Sequence, residues 1–174
     1  MNFEADYDYR IGIGTDIHRL VAGRVLKLGG VEVPFDMGLL GHSDGDVAIH
    51  AVIDSLLGAA SLGDIGTLFP DTDDNFKDAD SRDLLQITAE ELAEKKWEIV
   101  NVDLIVHAEQ PKLGAFKGQM KRAMASILDV DFNDVNVKAK TNEGLGDVGQ
   151  GNAISATAVS LLRKGIKNNC RKDR

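Results

Sequence analysis

Apolar and polar positions along the chain switch between two periods, and the switches mark out its elements. Residues 9–17 alternate loosely and predict a strand. Residues 25–33, interrupted by Gly29 and Gly30, predict one or two short strands able to pair with it, and residues 34–43 read as a loop. From Asp44 to Ala60 the period changes. Val47, Ala48, Ala51, Val52, Ser55, Leu56 and Ala59 recur at helical spacing, and Asp44 can cap the start.

Residues 61–80 read as a long loop, rich in aspartate and broken by Gly63, Gly66 and Pro70. A second amphipathic helix is expected over 81–96, with Ser81 as its cap and Leu84, Leu85, Ile87, Thr88 and Leu92 on its buried side. A strand follows over 97–108, and Pro111 turns the chain into a helix ending near Leu128. Residues 135–141 alternate as a strand, and 142–152, with four glycines, read as a loop. Residues 153–162 fit strand or helix; the β-branched Ile154, Thr157 and Val159 favour strand. The sum is an α+β domain, a mixed sheet with helices packed on one face.

Composition narrows the class. With 174 residues, 43% apolar and 28% charged, the chain suits one globular domain over 1–174, with 1–8 as an N-terminal extension and 163–174 as a basic tail. No apolar run approaches the roughly 20 residues that span a bilayer. The acidic start is neither a signal nor a transit peptide, so a cytoplasmic protein without a membrane partner is expected. A single cysteine, Cys170, excludes an internal disulfide and a cysteine-based zinc cluster. The net charge of −8 argues against nucleic acid as a partner. The tail holds six of the 20 Lys/Arg but one of the 28 acids, so the body is more acidic still. An anionic substrate would need metal ions or a few local cations there.

Candidate chemistry lies in four segments. Asp16 and His18 share one face of a strand end, and both residue types ligate zinc. His50 lies four residues after Asp46 and four before Asp54, on one helical stripe, with Asp46 a candidate partner for its other ring nitrogen. His42 and Ser43 fall before the helix start, where free N–H groups favour anions. A metal site of two histidines and one aspartate, with an open fourth position, fits these residues; so does a capped helix with a polar stripe beside a surface Asp–His pair. The acidic, partly apolar loop 62–73 suits hydroxyl groups better than phosphates. Lys138, Lys140 and Thr141, running into a glycine-rich loop, suit phosphate, and Glu143 suits a hard cation; a hairpin turn explains them as well. His107 reads as structural.

The runs HSDGDVAIHA at 42–51, LGDIGTLFPDTD at 62–73, ADSRDLL at 79–85 and VNVKAKTNE at 135–143, in this order, resemble the 2-C-methyl-D-erythritol 2,4-cyclodiphosphate synthase family of the non-mevalonate isoprenoid pathway. The resemblance covers about residues 10–162. It implies a phosphorus–oxygen lyase that converts 4-diphosphocytidyl-2-C-methyl-D-erythritol 2-phosphate to the 2,4-cyclodiphosphate and CMP. It implies zinc on Asp16, His18 and His50, and magnesium or manganese on Glu143 and the substrate phosphates. His42 and Thr141 match the family's transition-state-stabilising residues. Methylerythritol contacts match His42, Ser43, Asp64, Ile65, Gly66, Phe69, Pro70, Asp71, Thr72 and Asp73, and Asp16 and His18 also count among the substrate-binding residues. Cytidine contacts match Ala108, Glu109, Gln110, Pro111, Lys112, Leu113, Gly114, Lys140, Thr141, Asn142 and Glu143, from a neighbouring subunit of a homotrimer. A bacterial cytoplasm is expected ahead of a plastid.

The chain departs from many members after Glu143: Gly144, Asp147 and Gln150 stand where those have Lys, Phe and Arg. On the resemblance, the last two lie near the three-fold axis, and an isoprenoid diphosphate is not expected to bind there. The competing activity is a zinc-dependent phosphohydrolase using the same aspartate and two histidines to activate water, and a third reading is a non-enzymatic trimeric scaffold.

Overall fold

A computed structural model describes residues 7–70, 72, 73, 76 and 79–166. Cys170, Asp71 and most of the basic tail lie outside the described residues. Among these residues seven strands and five α-helices follow in the order β1 (Tyr7–Ala22), β2 (Leu26–Leu28), β3 (Val31–Val33), β4 (Met37–Leu39), α1 (Val47–Ala60), α2 (Ile65–Leu68), α3 (Ser81–Glu94), β5 (Glu98–His107), α4 (Lys117–Leu128), β6 (Val135–Lys140), α5 (Gly146–Gly149) and β7 (Ala153–Gly165), with a 3-10 turn at Phe132–Asp134 before β6. The fold is α+β. The main sheet is mixed, in the order β4-β1-β7-β5-β6, with β5 and β6 parallel and the other pairs antiparallel. No helix among the described residues is long and apolar enough to cross a membrane.

The period-two rule decides what each face of the sheet does. Along β1, Gly12, Gly14 and Leu20 are buried, whereas Tyr9, Ile11, Ile13 and Ile17 are exposed on the opposite face. The glycines are a contact requirement. A Cβ on Gly12 would lie 1.9 Å from the Ser55 carbonyl oxygen, and one on Gly14 would lie 2.1 Å from that of Ala51. Helix α1 therefore rests directly on the backbone of β1. Its own apolar positions are sealed in the core, with Ile49, Ile53, Leu56 and Leu57 fully buried. Helices α3 and α4 pack beside it, α3 on α1 and α4 on α3 and β6.

Several elements differ from the sequence reading. The 25–33 segment forms its own hairpin, β2 with β3, rather than pairing with β1. Gly29 and Gly30 take φ of 59° and 76°, the pair of positive values that a tight two-residue turn demands, and this folds the segment on itself. The edge beside β1 is taken instead by β4, from the expected loop, with Leu20 opposite Leu39 and Ala22 opposite Met37. Helix α1 starts at Val47 with Asp46, not Asp44, as its cap, because Asp46 is the carboxylate that reaches the N–H groups of Ala48 and Ile49. Likewise Asp80 caps α3 and Ser81 is its first residue. Ile87 is 41% exposed rather than on the buried side of that helix. Short helices α2 and α5 interrupt the two segments read as loops. The segment 153–162 is strand, as favoured, and β1 and β7 extend each other to Tyr7 and Gly165.

Candidate active site

Strand β1 and helix α1 carry the centre of the site. Asp16 and His18 follow Gly12 and Gly14 on the helix side of β1, and His50 projects from the first turns of α1. The close strand–helix approach brings them together. Asp16 Oδ2 lies 2.9 Å from His18 Nε2 and 2.9 Å from His50 Nδ1, and the two imidazole nitrogens are 3.1 Å apart. Among the described residues these three form the one group of His, Cys, Asp or Glu whose donor atoms converge closely enough for a metal ion. Tetrahedral donors at zinc's ordinary 2.0–2.1 Å lie roughly 3.3 Å from one another, so the arrangement fits an ion with little movement.

Burial tends to raise the Asp16 carboxyl, but hydrogen bonds and charge from His18 and His50 outweigh it and hold it well below the usual carboxylate range. His50 is the reverse case. Burial pulls its imidazole down, yet the Asp16 carboxylate, with the charges of Asp46 and Asp44 behind it, pushes it up. A concentration of negative charge thus faces the ring nitrogen that would meet a cation.

The other ring nitrogen of His50 does not meet Asp46, contrary to the sequence reading. Asp46 is fully occupied elsewhere: its carboxylate accepts from the N–H groups of Gly29 (2.8 Å), Gly30 (2.7 Å), Ala48 (3.1 Å) and Ile49 (3.0 Å). It ties the β2–β3 turn to the start of α1. His50 Nε2 instead lies 3.1 Å from Ser43 Oγ and 3.0 Å from Ser81 Oγ.

A cleft of about 350 Å³ opens over this trio, lined also by His42, Ser43, Asp54, Ile65, Gly66, Phe69, Phe76 and Leu84. His42 is exposed and Ser43 buried, both on the chain leading into α1. Arg24 fixes that stretch through bonds to the carbonyls of Gly41 (3.4 Å) and Ser43 (2.7 Å). The far wall is α2, capped by Asp64, which accepts from the Thr67 N–H and hydroxyl at 2.8 and 2.7 Å. Pro70, Thr72 and Asp73 continue the same chain beyond it. Phe69 and Phe76 meet edge to face at 5.2 Å and give this wall an apolar surface.

The sequence reading places Asp54 on the stripe of His50 without a role in the site, and does not place Phe76 or Leu84 there. Asp54 Oδ1 accepts from the Ile65 N–H at 2.8 Å and so anchors α2 against α1. The spacing of four residues from His50 puts Asp54 on that face; its bond to α2 is a tertiary contact that spacing does not show. Phe76 and Leu84 reach the cleft only through tertiary packing.

The remaining expected residues gather elsewhere. Ala108, Pro111, Lys112, Leu113, Gly114, Lys140 and Thr141 line a second cleft of about 300 Å³, with Lys117 and Ala139. Glu109 accepts from the Asn142 N–H at 3.3 Å, and the Gln110–Pro111 bond is cis. Thr141 donates its hydroxyl to Glu143 at 2.5 Å. His107 Nδ1 contacts Asn142 Oδ1 at 3.1 Å, which suits the structural role expected of it. The two clefts share no lining residue, and the strands that carry them, β1 and β6, are three strand steps apart, about 14 Å at roughly 4.8 Å per step. Asp147 lies on α5, exposed, with Asn152 donating to it at 3.4 Å.

Known proteins share this architecture. The model of the YgbB family matches residues 9–163. The 2-C-methyl-D-erythritol 2,4-cyclodiphosphate synthase of Neisseria gonorrhoeae is 54% identical over 153 residues, covering 88% of this chain and 96% of its own. The bifunctional enzyme IspD/IspF of Albidiferax ferrireducens is 56% identical over 162 residues, 93% of this chain; the chain spans 39% of that longer protein. The solved IspF of Plasmodium falciparum, in complex with CDP, is 35% identical with a TM-score of 0.80 over 91% of this chain and 97% of its own. By this match, and by relatives that share half or more of its residues, the chain belongs to the YgbB family, that of the 2-C-methyl-D-erythritol 2,4-cyclodiphosphate synthases.

Proposed function

We propose that the chain catalyses the reaction its relatives are named for, closing 4-diphosphocytidyl-2-C-methyl-D-erythritol 2-phosphate to 2-C-methyl-D-erythritol 2,4-cyclodiphosphate with release of CMP. The observation that carries this reading is the convergence of Asp16, His18 and His50 beneath a cleft edged by His42 and Ser43. Asp16, His18 and His50 hold zinc, and Glu143 holds a second hard divalent ion, magnesium or manganese; bound there, the ions supply positive charge to the phosphates.

The chain's own residues then position and stabilise. The nucleophile is an oxygen of the 2-phosphate, already largely a dianion near neutral pH because its second pKa is about 6. No general base is required. A P–O bond forms to the β-phosphorus, and the bond from that phosphorus to the oxygen bridging it to the α-phosphate breaks, the oxygen leaving with the electron pair as part of CMP. In-line placement is the main demand. Asp64, Ile65, Gly66 and Phe69, with Pro70 to Asp73 after them, hold the methylerythritol, the acid taking its hydroxyl groups. Ser43 and His42 donate to the phosphate oxygens, and Thr141 turns its hydroxyl from Glu143 to the developing charge. The second cleft, from Ala108 to Gly114 and Lys140 to Glu143, takes the cytidine; the CDP complex of the Plasmodium relative supports a cytidine nucleotide as ligand.

Because the two clefts share no lining residue and stand on strands about 14 Å apart in one chain, the complete site draws them from neighbouring subunits of a homotrimer. The exposed sheet face supports that assembly: Ile11 is 74% exposed, Ile13 67% and Ile17 57%, an apolar strip uncovered in the single chain. The family match over 9–163 supports a single-domain protein, and the bacterial relatives support a bacterial cytoplasmic setting.

Phosphorus NMR of the purified protein with the cytidylated substrate tests the reading. A cyclic diphosphate appearing with stoichiometric CMP is the expected product. A hydrolysed monophosphate would establish the phosphohydrolase instead.

A further inference from the structure

The side chain behind the metal-facing trio is Ser81, and its hydrogen bonds are unusually determined. Ser81 is fully buried as the first residue of α3 and does not line the cleft. Its Oγ lies 2.5 Å from Asp44 Oδ1 and 3.0 Å from His50 Nε2. The same Asp44 carboxylate accepts from the Ser81 backbone N–H at 3.2 Å and from Lys27 Nζ at 3.2 Å. Lys27 also reaches Asp80, the cap of α3, at 3.2 Å.

A serine hydroxyl has one proton, and a carboxylate can only accept. The Ser81 proton therefore goes to Asp44, and the Ser81 oxygen turns its lone pair to His50. His50 must then carry a hydrogen on Nε2, so Nδ1, which meets the Asp16 carboxylate and His18 Nε2, is the nitrogen left to give its lone pair to a metal ion that displaces the Nδ1 proton.

Ser43 is also 3.1 Å from Nε2, but it differs in kind. Its oxygen accepts from the Gly45 N–H at 3.3 Å, its own proton is committed to no carboxylate, and it lines the cleft. Ser43 is free to serve substrate; Ser81 serves the histidine.

We propose that Ser81 is a positioning residue that fixes His50 as a metal ligand, and that Asp44, clamped by Lys27, acts on the metal through Ser81. The proposal rests on the reading of Asp16, His18 and His50 as a metal site. Partners that orient a ligating histidine typically contribute ten- to a hundredfold in metal affinity.

Zinc affinity of the purified protein, measured by competition with a chromogenic chelator, tests this without any assay of turnover. Ser81→Ala is expected to weaken zinc binding about 10- to 100-fold, while its metal-free form melts with the parent. Asp44→Ala is expected to weaken binding as well, and Asp44→Ala combined with Ser81→Ala to be no worse than Ser81→Ala alone, as for two groups acting in series. Ser43→Ala is expected to stay within about threefold of the parent, far below the effect of losing a histidine-orienting partner. Unchanged zinc affinity in Ser81→Ala overturns the proposal, as does a fall in metal-free stability large enough to account for the whole loss. A parent chain that binds no zinc defeats the metal reading itself; a parent that binds zinc beside an equally competent Ser81→Ala chain defeats this inference alone.

Discussion

Asp16 Oδ2 sits 2.9 Å from His50 Nδ1, joining a strand residue to a helix residue 34 positions later. That contact exists because α1 lies on two glycines of β1, so the metal trio depends on both ligand identity and helix height. Replacing His18 or His50 with alanine leaves two donors of three. Each variant is expected to lose zinc from one per chain to near none and to lose turnover by at least about a hundredfold. Metal analysis alongside the product assay checks it; near-normal activity with full zinc in either variant defeats the assignment.

Glu143 lies beside the other cleft, accepting from the Thr141 hydroxyl that lines it, just past β6 and three strand steps from β1, about 14 Å at the usual spacing. Glu143→Gln is therefore expected to leave zinc content unchanged while raising the magnesium concentration needed for half-maximal rate by about tenfold or more. A magnesium titration with parallel zinc analysis distinguishes the sites, and loss of zinc in this variant would show them to be confused.

Gly14 leaves no room for a side chain: an added Cβ would lie 2.1 Å from the Ala51 carbonyl oxygen and 2.6 Å from the Ser55 nitrogen. Gly14→Ala is expected to cost about 1–3 kcal/mol or more by overpacking against backbone. Gly165→Ala, with nothing within 4 Å of its Cβ position, is expected to stay within about 0.5 kcal/mol. Urea unfolding of the metal-free proteins measures both, and equal midpoints would contradict the close packing.

The cap of α3 carries a pH dependence. Arg82 above all, and Lys27 with it, hold the Asp80 carboxyl well below its ordinary value against a smaller contrary effect of burial. A carboxyl depressed in the folded state contributes stability that is present above its unfolded pKa, near 4, and is lost as pH falls toward the folded value. Asp80→Asn keeps a capping oxygen but loses the charge. It is expected to cost about 0.5–1 kcal/mol at pH 7, with the gap to the parent narrowing progressively as pH falls below about 4. A gap that widens in acid would reverse the sign.

The exposed isoleucines of β1 report on assembly. Ile13→Asp alters a side chain already 67% exposed in the single chain, so chain stability is expected to change by no more than about 0.5 kcal/mol. Sedimentation is expected to shift from trimer to monomer, and turnover to fall with it. An unchanged trimer would place the interface elsewhere.

Much of this was legible in the sequence, for reasons that differ by element. Helix α1 announced itself because its apolar residues are numerous and regularly spaced. The Asp16–His18 pair and His50 were visible as residue types at telling spacings. Strand β4 was not, since three residues centred on Gly38 carry no alternation to read; its pairing with β1 is a property of the sheet edge. The sequence reading names Asp44 as the cap, and local chemistry does not separate it from Asp46, since both are good capping residues two positions apart. The turn at Gly29 and Gly30 settles it by presenting two N–H groups that Asp46 alone meets. Ser81 lies 31 residues from His50, so no local pattern could join them.

Strand β1 addresses two audiences by the parity of its positions. Its even residues, Gly12, Gly14, Asp16 and His18, serve the helix and the metal trio; its odd residues, Ile11, Ile13 and Ile17, look the other way. A single-residue deletion ahead of Asp16 would hand the ligands to the outer surface and turn isoleucines toward the cation site. On the proposed function, the reading frame of side chains along this one strand couples chemistry to assembly, and a lesion in spacing would forfeit both at once where a substitution would injure only one.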